Sequence, residues 1–143
     1  MIREIKLNDK EKWENLYREY ANFYKAEMNE EILKTVWGWL HDQNHEIKGL
    51  VYLHESIIVG FAHYRRMPRP ITGRYIGFLD DIYVDSKYRR KGIGEKLIHK
   101  LNEISNKNNW GLVRWVTRDD NTKAKSLYDK IAKKTNWDLY ELT

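Results

Sequence analysis

Three short stretches carry residue types that a simple core does not need. In Phe78-Leu79-Asp80-Asp81-Ile82-Tyr83-Val84, two adjacent carboxylates sit inside an otherwise apolar run. Such breaks in patterning tend to mark sites. Successive side chains of a strand point to opposite faces, so Asp80 and Asp81 are expected to point apart. One then lines a pocket as a base while the other is paired in structure. The plainer alternative is a pair of strand-end aspartates facing water or a basic partner. In Arg89-Arg90-Lys91-Gly92-Ile93-Gly94-Glu95, two glycines and three cations precede a helical pattern. Free backbone N–H groups at a helix start, together with the helix dipole, favour an anion, and a pyrophosphate fits. A solvated basic turn is the plainer alternative. In Asn121-Thr122-Lys123-Ala124-Lys125-Ser126-Leu127-Tyr128, the asparagine can cap a helix. Ala124, Leu127, Tyr128 and Ile131 then share one face, where Tyr128 is either core or a proton donor to a departing thiolate.

Other chemistries fit less well. Gly92-Ile93-Gly94-Glu95-Lys96 is no P-loop, and Leu97 stands where a dinucleotide fingerprint needs its third glycine. His41 and His45 have helical metal-ligand spacing, but the intervening residues are Asp42-Gln43-Asn44 rather than those of a zincin, so no metal site is expected. The chain has no cysteine, which removes thiolate ligands, disulfides and cysteine nucleophiles.

The elements that must hold these residues can be read from periodicity. Ile2, Ile5 and Leu7 predict a first strand. Asn8 or Asp9 then caps a helix bearing Trp13, Leu16, Tyr17, Tyr20 and Tyr24 on one face. A second helix is predicted from Asn29 to Asp42, with Ile32, Leu33, Val36, Trp37 and Leu40 inward. Trp37 and Trp39 either line an acceptor pocket or belong to the core. Ile47–Leu53 and Ile57–Tyr64 read as strands joined by His54-Glu55-Ser56, and Pro68 and Pro70 flank a loop before the strand Tyr75–Val84. A helix over Gly92–Lys107, a strand Leu112–Thr117, a helix Asn121–Lys134 and a final strand Trp137–Leu142 complete the order βααβββαβαβ. This is an α/β chain with a mixed sheet covered by helices on both faces, in one domain spanning residues 1–143.

The formal charge of +5 suits an anionic partner without choosing one. Acidic residues interleave with Arg65, Arg66 and the lysines of the Gly92 helix, so a nucleic-acid face is not expected. No run approaches the ~18 apolar residues of a membrane helix, and Met1-Ile2-Arg3-Glu4 opens no secretion signal. The cytoplasm is the expected compartment.

Taken in order, Arg89-Arg90-Lys91-Gly92-Ile93-Gly94 and Asn121-Thr122-Lys123-Ala124-Lys125-Ser126-Leu127-Tyr128 resemble the signature of the GNAT superfamily of acetyl-CoA-dependent N-acetyltransferases. The element order resembles that family's over essentially the whole chain. Leu79-Asp80-Asp81-Ile82-Tyr83-Val84 followed by Tyr88-Arg89 is similar to the diamine and thialysine acetyltransferases. Leu127 to Thr135 is similar to microbial relatives of the yeast histone and D-amino-acid acetyltransferases.

The resemblance implies acetyl-CoA as cosubstrate, no metal, and a primary amine as acceptor. A small molecule such as a polyamine, a lysine analogue or an amino acid is expected; a protein lysine is the alternative. Two readings from other classes are a non-catalytic acetyl-CoA-binding module and a nucleic-acid-binding protein. The resemblance also implies backbone pairing of Ile82, Tyr83 and Val84 with the pantetheine arm and pyrophosphate contacts from Arg89 to Glu95. Asn121 joins this cofactor-contacting set. Tyr128 becomes the acid for the thiolate. Asp80 becomes the base, acting through a water because it stands where the diamine enzymes carry the longer glutamate. A homodimer is the expected assembly.

Overall fold

The computed structural model describes residues 1–143. In it, β2 (Lys48–His54) and β3 (Ile57–Arg69) form an antiparallel hairpin. The turn is the two residues Glu55 and Ser56, with φ of 50° and 67°. Two left-handed residues in succession match the twist of the strands they join. β4 (Arg74–Val84) returns antiparallel along β3 after a single helical turn at Pro70–Thr72 and a left-handed Gly73. β1 (Ile2–Glu4) pairs with β2, and β5 (Val113–Trp115) lies parallel to β4. The sheet order is β1-β2-β3-β4-β5, mixed only through its last pair.

Pro68 does not flank a loop; it sits within β3, opposite Tyr75. β2 begins at Lys48 opposite Tyr64, so β3 has one neighbour beyond that point. A single-sided strand is where proline is tolerated.

One face of the sheet receives α1 (Lys10–Phe23) and α2 (Glu30–His41), which bury Trp13, Leu16, Leu33, Val36 and Leu40 against Val51, Ile58 and Phe61. Asn29 caps α2 by accepting from the Ile32 N–H at 2.9 Å. Asp9 does not cap α1 with its side chain: its carboxylate is taken by Arg3 at 2.7 and 2.9 Å and by the Lys6 N–H at 2.7 Å, closing the short helical turn Leu7–Asp9 instead. The opposite face receives α3 (Ile93–Lys107), whose Ile93, Leu97, Ile98 and Leu101 pack on Leu50, Val59, Ala62 and Leu79. Truncating a fully buried leucine such as Leu97 to alanine costs ~2–5 kcal/mol in cores of this kind. Tyr128 and Ile131 of α4 (Thr122–Ile131) flank this second core.

The expected last strand is absent, so the order is βααβββαβα. Trp137, Leu139, Tyr140 and Leu142 are each exposed by 74% or more. An extended segment becomes a strand only when a neighbour satisfies its backbone groups, and this one meets none within its own chain.

Candidate active site

β4 pairs with β5 only from Gly77 to Leu79, then continues to Val84 with no neighbour on that side. This wedge opens into a cleft of about 850 Å³ lined by Ile82, Tyr83 and Val84, by the loop before α3, by α4 and by the end of α1.

The loop forms because Gly92 adopts φ 73°, a conformation costly for residues with a side chain. Gly92 is the N-cap of α3 and supplies no capping side chain. The first helical backbone bond runs from the Lys96 N–H to the Gly92 carbonyl, so the N–H groups of Ile93, Gly94 and Glu95 have no partner inside the helix. Arg89 and Arg90 border the same cleft. Arg89 is held in place: its Nε donates to the Val84 carbonyl at 3.1 Å and its guanidinium lies over the rings of Tyr83 and Phe23. These donors suit a pyrophosphate.

From α4, Tyr128 reaches the cleft with its ring edge-on to Trp115, centroids 5.3 Å apart. Its hydroxyl makes no hydrogen bond within the protein. Burial, with Tyr24 adding, pushes its pKa up to about 12, so the phenol stays protonated at any working pH. Asn121 does not cap α4 with its side chain. It turns instead towards the cleft, donating to the Tyr24 hydroxyl at 3.3 Å and to Thr117 Oγ1 at 3.4 Å.

The two aspartates are not placed as strand alternation predicts. The β3–β4 register slips between His63 and Tyr64, pairing His63 with Asp81 and Tyr64 with Leu79, so Asp80 is an extra residue in a bulge. Asp80 takes Arg65 Nε at 3.1 and 3.2 Å, and Asp81 lies 2.8 Å from His63 Nδ1. Arg65 and His63 are two residues apart on β3, so both carboxylates occupy one face, that of α1. Burial raises the Asp80 pKa more than the Arg65 hydrogen bond and charge lower it, and Asp81 adds to the rise. Burial also pushes Asp81 up, but the interaction with His63, with Tyr20 and Tyr17 adding, prevails and holds it below the usual carboxylate value.

The Acetyltransferase (GNAT) family profile matches residues 11–132. Over 143 residues the chain is 30% identical to the D-amino-acid N-acetyltransferase HPA3 of Saccharomyces cerevisiae, covering 99% of this chain and 89% of that protein. The chain belongs to the GNAT family. It is 38% identical over 73 residues to a thialysine N-epsilon-acetyltransferase of Mus musculus, a match spanning 51% of this chain and 42% of that one. An aminoglycoside N-acetyltransferase crystallised in complex with CoA superposes with a TM-score of 0.83 at 16% identity, covering 100% of this chain and 93% of its own; that likeness speaks to the fold.

As a GNAT member, the chain is an acetyltransferase acting on amines. Of the residues singled out by motif, Ile82, Tyr83, Val84, Arg89, Arg90, Gly92, Ile93, Gly94, Glu95, Asn121 and Tyr128 all line the one cleft. Lys91 and Asp80 do not: Lys91 lies over the Tyr88 ring and Asp80 is engaged by Arg65. Trp37 belongs to the α1–α2 core, and Trp39 stacks outside on His45. Sequence reasoning missed Tyr24, which reaches the cleft from the far end of α1, and the buried His63. Tyr24 offered only its helical spacing, which is also a core signal. His63 offered the signal of a lone polar residue within an apolar strand.

Proposed function

We propose that the chain, acting as a single domain, transfers the acetyl group of acetyl-CoA directly to a primary amine of a small molecule. The observation that carries this reading is the unpaired stretch Asp80–Val84, open along one side to a cleft that ends at uncapped helix amides and contains a free phenol. Backbone groups of Ile82, Tyr83 and Val84 suit a pantetheine arm lying as an added strand. The N–H groups of Ile93, Gly94 and Glu95, with Arg89 and Arg90, suit its pyrophosphate, and Asn121 borders the arm. Nothing in this set calls for a metal.

Acetyl-CoA, when bound, supplies a thioester carbonyl. An alkyl ammonium, with a pKa near ~10.4, must lose a proton before its nitrogen can attack. Asp80, its pKa raised by burial, receives that proton through a water. The amine nitrogen bonds to the carbonyl carbon, the carbon–sulfur bond breaks, Tyr128 gives its proton to the departing sulfur, and the phenolate so formed takes the second proton from the acetylated nitrogen. Holding both partners in one cleft supplies much of the rate. Names of similar proteins support a small amine: one acts on D-amino acids and one on thialysine. The expected setting is the cytoplasm; no helix is long and apolar enough to cross a membrane. The exposed apolar residues after α4 support a homodimer.

The test is release of free thiol from acetyl-CoA with D-alanine, L-lysine, putrescine and a lysine-bearing peptide. Turnover with one of the small amines is expected. Turnover with the peptide alone would move the assignment to a protein lysine, and acetyl-CoA binding without turnover to a non-catalytic module.

A further inference from the structure

We propose that Trp13 and His63 are positioning residues for the transfer: through Asp81 Oδ2 they hold that carboxylate so that its other oxygen, Oδ1, meets the positively charged amine of the acceptor beside the tyrosines of α1. This rests on the amine-acetylating reading above.

An indole fixes the tautomer of the imidazole. Trp13 Nε1 can only donate, and it lies 2.9 Å from His63 Nε2, so that nitrogen carries a lone pair. The His63 proton is therefore on Nδ1, 2.8 Å from Asp81 Oδ2, and the ring is neutral. Trp13 is 0% and His63 1% exposed, so the water needed to rearrange this chain is excluded. The Tyr17 hydroxyl donates to the same oxygen at 3.1 Å. Both hydrogen bonds fall on Oδ2 and neither on Oδ1, while the Asp81 side chain retains 20% exposure.

Charge accounting then points to a cation. Asp80 is balanced by Arg65, but the groups hydrogen-bonded to Asp81 are the His63 imidazole, in the neutral tautomer that the Trp13 N–H imposes, and the Tyr17 phenol. A carboxylate in such a setting keeps an uncompensated negative charge, which a cationic ligand relieves. The surroundings suit one. Tyr17, Tyr20 and Tyr24 form a ladder with centroids 5.7 and 4.9 Å apart, and Tyr20 is 6.2 Å from Tyr83. Aromatic faces attract cations. Tyr24 and Tyr83 line the cleft, so the ladder leads from the cleft to Asp81. The assignment is to binding: Asp81 anchors the ammonium and takes no proton.

The relay can be tested in the unmodified protein. Nitrogen-15 NMR of histidine-labelled protein should show His63 protonated on Nδ1 alone; a proton on Nε2, or on both nitrogens, overturns the relay. Steady-state kinetics with the best of the four acceptors named above test the anchor. Asp81→Asn should raise KM for the amine by ~10–100-fold, the loss expected for a charged hydrogen bond, with acetyl-CoA affinity unchanged by calorimetry. His63→Leu should do the same, and His63→Asn, whose amide N–H replaces Nδ1–H, should recover part of the loss. An unchanged KM in folded Asp81→Asn refutes the anchor while leaving the acetyltransferase reading intact. Wild-type protein that binds no acetyl-CoA refutes the reading itself.

Discussion

Replacing Tyr128 by phenylalanine removes one oxygen, and the structure allows both consequences to be worked out. The ring sits edge-on to Trp115 beside the α3 core, contacts that phenylalanine retains. Because the hydroxyl has no protein partner, its removal strands no buried donor or acceptor. The change in stability should therefore stay within ~0.5 kcal/mol, the range of substitutions that break no named interaction. For a chain of this size that is a shift of about 1–2 °C in the unfolding midpoint. Turnover should behave differently. If the phenol delivers the proton to the leaving sulfur, kcat should fall by ~10²–10⁴-fold with acetyl-CoA affinity little changed. The assay is thiol release at saturating acetyl-CoA and amine, with thermal unfolding on the same preparation. Near-normal kcat under conditions where chemistry limits the rate, with or without a stability loss, refutes the acid assignment and leaves Tyr128 a packing residue.

Gly92→Glu should abolish the rise in unfolding temperature that acetyl-CoA produces, because it places a carboxylate beside the uncapped amides and a side chain at φ 73°; unchanged calorimetric affinity in the folded variant would remove the loop from cofactor binding. Asp80→Asn should lower turnover most at pH values well below the amine's pKa and recover in part as the pH rises, since alkali then supplies free amine; an unchanged pH–rate profile excludes Asp80 as base. Asp9 has its pKa depressed, chiefly by the Arg3 hydrogen bond, so its contribution to stability is present above the unfolded value of ~3.9 and is lost as the pH falls through the native one. Urea unfolding at pH 6 and pH 3 should accordingly show a smaller acid loss in Asp9→Asn than in wild type. Deleting residues 136–143 should turn a dimer into a monomer by sedimentation; a monomeric wild type rejects the dimer.

The sequence by itself determined the glycine loop before α3 and the α4 motif, because both depend on local geometry. Gly92 is favoured where the backbone turns left-handed, and the spacing of Ala124, Leu127 and Tyr128 is set by the helical repeat. The helices and the strands within the sheet were legible for the same reason, since periodicity records which face is buried. What only the tertiary structure decided was pairing between segments far apart in the chain. The bulge at Asp80 is a property of two strands in register, so the rule of alternation assigned opposite faces to carboxylates that share one. The relay joins Trp13, His63 and Asp81 across separations of 50 and 18 residues, which no local pattern encodes. The last strand failed for the complementary reason. Trp137–Leu142 has strand-like composition, but a strand is a relation between two segments, and within this chain the second is missing.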